Sequence, residues 1–367
     1  MKKFEFTGET KTISLLFRTA TLHRIKAVAE FGIVKVGDLG GWIEKEENLS
    51  HEGKAWVCGD AEVWGNAKVC GDAKVCGDAE VCGDAEVCGD AEVWGNAKVC
   101  GDAEVCGDAK VCGDAKVCGD AKVWGNAEVC GDAEVWGNAK VCGDAKVWGN
   151  AKVCGDAEVW GNAKVWGNAK VCGNAEVCGD AKVCGDAKVW GNAEVWGNAE
   201  VWGNAEVWGN AKVCGDAKVW GNAEVFSANH VLVIGAIGSR SDFTTFFRDK
   251  DNEITVKCGC FLGKIDKFLE KVTATHRDSK YALVYRAAVE VAKLQIDLSL
   301  SKPLAVGDKV RIISAEENDV TRNWNSKMEK YLGTVMTIKH VYKDGYRMEE
   351  DDSEWFWDTF RIAGKVE

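Results

Sequence analysis

A six-residue phrase, Ala-Lys/Glu-Val-Cys/Trp-Gly-Asp/Asn, runs without a break from Ala55 to Asn222, 28 copies in a chain of 367 residues, the first with Trp56 in its second slot. A period this strict constrains the fold more than any other property, because a single copy cannot bury its apolar side alone. Ala and Val stand two apart and so share one side of an extended segment, while the second and fourth slots point to the other. Gly-Asp and Gly-Asn tolerate left-handed backbone angles, so the chain can turn sharply after each short strand. Three units then close into a triangular coil of eighteen residues, with valine and alanine inside. At about 4.8 Å per coil, the regular part forms a rod of about 45 Å. Glycine recurs every sixth residue, which excludes collagen, where it recurs every third. A weaker continuation places Val225, Val231 and Ile237 at the valine phase.

So narrow a core has no volume for stacked indoles, so the fourth slot must face outward. Its residues fall into three columns, each stepping by eighteen. One holds Trp148, Trp166, Trp202 and Trp220; a second holds Trp190, Trp208 and Phe226; a third holds Trp160 and Trp196 among cysteines. Exposed apolar patches often mark interaction sites, but stacked aromatics also stabilise neighbouring strands. Trp148, Trp166, Trp190, Trp202, Trp208 and Trp220 are the candidate interaction surface on the rod.

All but Cys258 and Cys260 of the 18 cysteines occupy the fourth slot, many as vertical neighbours such as Cys82, Cys100 and Cys118. The Cβ separation a disulfide prefers, about 3.8 Å, is tighter than strand spacing. Free, inert thiols are therefore expected. Thiolate columns attract soft metals in principle, but no metal site is assigned. The corner Asp and Asn residues are read as turn formers rather than calcium ligands. Ten of the 13 hexads from Ala55 to Asp132 end in Asp, against five of the 15 from Ala133 to Asn222. Trp is followed by Gly-Asn and Cys by Gly-Asp, except at Cys172. Two duplicating cassettes would produce this pattern, which suits a spacer of variable length.

The net charge of −12 originates in the repeat, where 15 Lys face 12 Glu and 15 Asp. This acidity argues against direct nucleic-acid binding, which needs clustered Lys and Arg. No apolar run is long enough for a membrane span, and the first residues lack a signal-peptide core. A cytoplasmic protein without membrane association is expected.

The hexad resembles the hexapeptide-repeat family of left-handed parallel β-helix proteins, in which an aliphatic residue is followed four positions later by a small one, as Val63 is by Ala67. "HRIKAV" and "VKVGDLGGWIEKEENLSHEG", leading into "AWVCGDA", are similar to the entry segment of bacterial and phage members of the YdcK type. The resemblance implies that Lys3 to Val36 forms strands and turns covering the first coil. The best-known proteins of this fold are acyltransferases, with a catalytic His and clefts between subunits. All five histidines here (His23, His51, His230, His276 and His340) lie outside the hexads. The three-His site of γ-type carbonic anhydrases is not apparent. An acyltransferase-like enzyme is thus the alternative reading, and an acidic decoy mimicking nucleic acid a third.

After the rod, "FTTFFRDKDNEITVKCGCF" reads as two strands joined at Asp249 to Asn252. One helix follows with Phe261, Ile265, Phe268, Leu269 and Val272 on its apolar face. A second runs from about Lys280 to Leu298, with Leu283, Ala287, Val291 and Leu294 on its apolar side. Cys258-Gly-Cys260 offers only half a zinc site and is read as structural. Pro303 is expected to open a final unit whose alternating "VGDKVRII", "GTVMTIKHVY", "GYRMEE" and "WFWDTFRI" resembles a small SH3-like barrel. Tyr331, Tyr346, Trp355 and Trp357 are its candidate peptide-binding aromatics.

The expected architecture is mainly β: cap and entry coil over 1–48, left-handed parallel β-helix over 49–240, hairpin and two-helix cap over 241–300, and SH3-like barrel over 301–367. The expected role is a non-enzymatic scaffold or interaction rod of phage or prophage type, with no catalytic residues and no cofactor. The expected partner is a protein, a second copy of the chain included.

Overall fold

A computed structural model describes residues 2–14, 19–299, 304, 306–313, 326–342, 345–358 and 362–366. Pro303 lies outside them. The chain divides into two compact units, Met1–Ser299 and Leu300–Glu367.

In the first unit the hexads wind into a parallel β-solenoid of three faces. Each strand pairs with the one eighteen residues on, so that Val93 stands beside Val111 and Val111 beside Val129. The faces contain thirteen, ten and nine strands, the first counting three strands of the N-terminal cap. Every Ala and Val of the hexads from Ala55 to Val225 is fully buried. Second-slot amides donate to first-slot carbonyls of the next coil, as Glu62 does to Ala79 and Lys140 to Ala157, both at 2.9 Å. The corners stack as tightly as the strands. Gly131 holds a φ of 75°, and a β-carbon there would meet the Gly149 amide nitrogen at 3.1 Å. No L side chain suits that position.

A ladder of this kind leaves unpaired groups at both ends. At the N-terminal end, strands β1 (Phe4–Ser14), β2 (Thr19–Ala27) and β3 (Leu39–Ile43) form an antiparallel extension of one face. β3 then pairs in parallel with the coil, Ile43 beside Val63. Phe4, Ile25, Ala27 and Val34 join the solenoid core, in line with the expected covering role. Two buried polar side chains close the carbonyls that β3 does not reach. The Lys3 ammonium donates to the carbonyls of Gly53 (3.3 Å) and Ala55 (3.0 Å). The Asn48 amide donates to those of Gly65 (3.2 Å) and Ala67 (2.8 Å). Glycine and alanine carbonyls at the same slots one coil later accept from backbone amides, as Gly71 does from Ala55 and Ala73 from Trp56. Each side chain thus replaces a missing coil.

The solenoid ends at Val225. Val231 and Ile237, in valine phase by sequence, belong instead to an antiparallel sheet of Val231–Ile237, Asp242–Arg248, Ile254–Cys258 and Phe261–Lys264. A corner is missing there: Ser227 caps a short 3₁₀ turn, Ala228–His230, where Gly-Asn would continue the coil. The expected hairpin is present, with Arg248 paired to Ile254. The sheet closes the last coil with polar groups. The Lys218 amide donates to the Thr245 hydroxyl (2.9 Å), and the Asn222 carbonyl accepts from the Lys250 amide (3.1 Å). Arg248 forms a buried ion pair with Glu224 at 2.8 Å while its guanidinium lies over Phe226.

Helix α1 (Ile265–His276) buries Ile265, Phe268 and Val272, as its spacing predicts, but Phe261, expected on the same helical face, lies in the preceding strand. Helix α2 (Lys280–Gln295) does not use its predicted face. It buries Ala282, Tyr285, Ala288, Val289 and Ala292, whereas Leu283, Val291 and Leu294 are exposed, Leu294 by 89%. Small residues let the helix lie close against α1 and the sheet, and close approach prevails over hydrophobic bulk. The second unit is a five-stranded antiparallel sheet over a core of Val310, Ile312, Met328, Met336, Ile338, Met348 and Trp357.

Asn48→Ala leaves two buried carbonyls without donors, a loss of about 1–3 kcal/mol. Hydrogen exchange should rise in the first two coils and stay unchanged near Val225. Equal protection of both ends in the variant would refute the capping role.

Candidate interaction surface

The three outward columns exist as the period requires, with Trp94 beside Cys112 and Cys118 beside Trp136. Their rings serve two different purposes. Toward the C-terminal end, indoles stack on each other and run into the cap. Trp202 and Trp220 lie parallel with centroids 4.7 Å apart, and Trp166 meets Trp202 edge-on at 6.3 Å. The Lys257 ammonium sits 3.8 Å above the Trp220 ring. In the next column Trp190 stacks on Trp208 at 5.6 Å, and Phe226 lies tilted against Trp208 at 5.1 Å. Such pairs contribute about 0.5–1.5 kcal/mol each beyond area burial.

Two candidates are therefore withdrawn as surface. Trp208 is buried, with Trp190 stacked on its ring and Phe226 packed against it at a tilt. Trp357 is fully buried in the second unit, its indole N–H donating to Asp351 at 2.7 Å. Tyr331, Tyr346 and Trp355 are half-buried and pack against that same core. Trp148, Trp166, Trp190, Trp202 and Trp220 are half-buried on the rod.

The most open indoles are others: Trp94 (37%), Trp136 (44%), Trp160 (42%) and Trp196 (43%). Each has cysteine both above and below in its column, so no ring covers it. The sequence carried this signal, since stepping by eighteen names each vertical neighbour. Trp160 and Trp196 share one column, two coils apart, with Cys178 between them.

The histidines that flank the rod hold its ends. His51 stacks on Phe4 at 4.4 Å, accepts from the Lys3 amide at 3.2 Å and meets Glu46 at 2.8 Å. The hydrogen bond from His51 holds the Glu46 carboxyl below its ordinary range. His230 is fully buried, edge-on to Phe226, and its Nδ1 accepts the Phe226 amide at 3.4 Å. Burial first, and Arg248 second, lower its pKa to about 4. The ring is thus neutral, with its proton on Nε2.

The cysteines depart from expectation. Three vertical pairs, Cys58–Cys76, Cys112–Cys130 and Cys154–Cys172, are joined as disulfides, each with Cα atoms 4.7 Å apart. In-register parallel neighbours fall inside the Cα range disulfides accept, about 4.4–6.8 Å, and side-chain rotation brings the sulfurs together. Strand spacing is therefore no barrier. Among the described residues, no group of three or more His, Cys, Asp or Glu side chains converges to hold a metal ion. Cys258 accepts a hydrogen bond from the Thr244 hydroxyl at 3.3 Å.

Between the columns the second-slot charges pair across coils, as in Lys98–Glu80 and Lys140–Glu158, both 2.8 Å. Exposed pairs of this kind contribute about 0–1 kcal/mol. The corners form amide-to-carboxylate ladders, with Asn96 donating to Asp114 at 2.8 Å and Asn138 to Asp156 at 2.7 Å. A polar groove of about 690 Å³ follows one corner past Asn162, Asp180 and Asn198 to Asp242 and Phe243. Among the described residues no helix is long and apolar enough to cross a membrane. Comparison with protein-family models and with curated proteins gives no match to the chain.

His230 makes the cap sensitive to acid. Unfolded histidine titrates near pH 6.5 and folded His230 near 4, so between them the unfolded chain binds the extra proton. Stability should be flat in this respect above about pH 6.5 and fall as pH drops toward 4. His230→Asn keeps an acceptor for the Phe226 amide and should flatten that slope in urea titrations. An undiminished slope would show that another group carries it.

Proposed function

We propose that the protein is a non-enzymatic rod that serves as a scaffold or interaction module, recognising a protein through the column of Trp160 and Trp196. The observation that supports this reading is their exposure in one line, without ring neighbours, on a solenoid no loop interrupts. Both ends of that solenoid are closed by side chains, so association through a face is favoured over stacking end to end. The partner testable on the purified chain is a second copy of itself.

The finer identity belongs to the same reading. The solenoid is taken as a left-handed hexapeptide-repeat β-helix of YdcK type, in a cytoplasmic protein of phage or prophage origin. The second unit is taken as an SH3-like peptide-binding barrel, for which Tyr331, Tyr346 and Trp355 supply half-exposed aromatic surface.

Light scattering over a range of concentrations tests the self-association form. The wild type should form a dimer or higher oligomer, and Trp160→Ser/Trp196→Ser should be monomeric with Tm changed by no more than about 2 °C, since neither ring is stacked. Trp202→Ser, by contrast, should lower Tm without changing the oligomeric state. A wild type that is monomeric throughout overturns self-association. Turnover of an acyl donor that is lost in His51→Ala would overturn the non-enzymatic reading itself.

A further inference from the structure

The disulfides join vertical neighbours where two cysteines stand in succession. Three stand in succession at two places: Cys70, Cys88 and Cys106 in one column, and Cys82, Cys100 and Cys118 in the column that further along holds Cys154–Cys172. We propose that the Cys82–Cys100–Cys118 column is a thiol–disulfide exchange site for small disulfides such as oxidised glutathione, in which Cys100 attacks and either vertical neighbour resolves the adduct.

The geometry matches that of the bonded pairs. Cys100 lies in register with Cys118, and the strands of Cys82 and Cys100 continue the register of Val81 with Val99. The Cys82 amide donates to the Val99 carbonyl at 2.9 Å. The Cys58–Cys76 pair has the same offset of eighteen residues and a Cα separation of 4.7 Å. All three triad thiols are half-exposed, so a small disulfide reaches them. Cys82 and Cys118 are two coils apart, about 9–10 Å, beyond any direct bond. Only Cys100 can therefore pair, and it has two partners to choose from.

The chemistry also singles out Cys100. A hydrogen bond from Cys82 lowers its pKa to about 6, helped by Cys118 and by Lys98 two residues earlier on the strand. The Cys82 thiol is pushed up in turn and stays protonated. In the other triad, burial pushes the central Cys88 up to about 12, and Glu86 occupies the place of Lys98. Neighbouring thiols and Lys98 thus favour the thiolate at Cys100, whereas burial disfavours it at Cys88.

The reaction balances in two steps. The Cys100 thiolate attacks one sulfur of the small disulfide, forming a mixed disulfide and releasing one thiolate. Cys82 or Cys118 then gives up its proton and attacks the Cys100 sulfur, forming the inter-coil disulfide and releasing the second thiol. Two protein thiols are oxidised and one small disulfide is reduced to two thiols. The cysteines with tryptophan on both sides, Cys142, Cys178 and Cys184, have no resolving neighbour and lie outside this chemistry.

The test uses the reduced full chain, oxidised glutathione at pH 7, alkylation and intact mass. The fourth slot carries cysteine or tryptophan throughout the rod, so serine there should leave the circular dichroism spectrum unchanged. Cys100→Ser and Cys100→Ala should each reduce the number of disulfides by one relative to wild type. Cys82→Ser alone and Cys118→Ser alone should leave that number unchanged, because the remaining neighbour resolves, whereas Cys82→Ser/Cys118→Ser should reduce it by one. Cys142→Ser should leave it unchanged. The proposal is overturned if Cys100→Ser keeps the full number, if either single neighbour variant loses a disulfide, or if wild-type Cys100 retains glutathione as a lasting adduct.

Discussion

Valine and alanine from three short strands fill the interior of each coil, and this narrow core governs everything else in the rod. Every such side chain is fully buried, and their methyl groups leave no room for an indole. The larger side chains are therefore expelled to the surface, where the amide ladder stacks them at strand spacing. Along the rod, a surface residue has one neighbour above and one below on its own face. Its chemistry is set by those two. An indole next to an indole is a stacking element, an indole between cysteines has no ring directly above or below it, and a cysteine next to a cysteine has a partner within disulfide reach.

A structure repeated in one dimension has its weak points at the ends. There the irregular sequence does its part, and it does so with polar atoms rather than bulk. Lys3 and Asn48 supply donors that a preceding coil would have supplied, while Thr245 and His230 accept from amides that a following coil would have taken. Burial lowers the Lys3 ammonium to about 8, so the charge kept there is partly offset by the carbonyls it satisfies. Sealing of this kind stops coils from adding indefinitely, which directs any association to the faces. The fold thus limits where a partner can bind before any specific contact is considered.

The sequence made the rod legible because one phrase, copied 28 times, leaves a single consistent winding. It also contained the pattern of exposed tryptophans, but only to a reading that asked what stands above and below each ring. Trp208 is covered by its own column neighbours Trp190 and Phe226, which outward slot position alone does not reveal, and Trp357 lies in the core of its unit with its indole N–H donating to Asp351. The α2 face escaped because hydrophobic spacing ranks leucine above alanine, whereas packing against α1 rewards the smaller residue. The disulfides do not follow from strand spacing compared with a preferred Cβ separation. The Cα separation of 4.7 Å lies inside the range a bridge accepts, and rotation about the Cα–Cβ bond brings the sulfurs together. The caps were illegible for a more basic reason: a lone Lys or Asn has no periodicity, and its role appears only once the unpaired carbonyls are located.

The two cassettes make the rod chemically uneven from end to end. Cysteine travels with Asp and tryptophan with Asn, so a choice made in the outward slot is also a choice of corner charge. Where Asn precedes Asp in a corner column, the amide donates to the carboxylate and the corner is joined, as from Asn126 to Asp144 at 2.8 Å. Where Asp follows Asp, the carboxylates crowd one another. Asp102 is held above its ordinary pKa by partial desolvation and by Asp120 and Asp84 in the same column. The Cys-Asp cassette dominates before Asp132, which concentrates thiol neighbours and carboxylate columns there; the Trp-Asn cassette dominates beyond it, which concentrates aromatic stacks and neutral ladders toward the cap. Duplicating one cassette or the other would therefore lengthen the rod and shift its balance between thiol and aromatic surface without disturbing a single valine of the core.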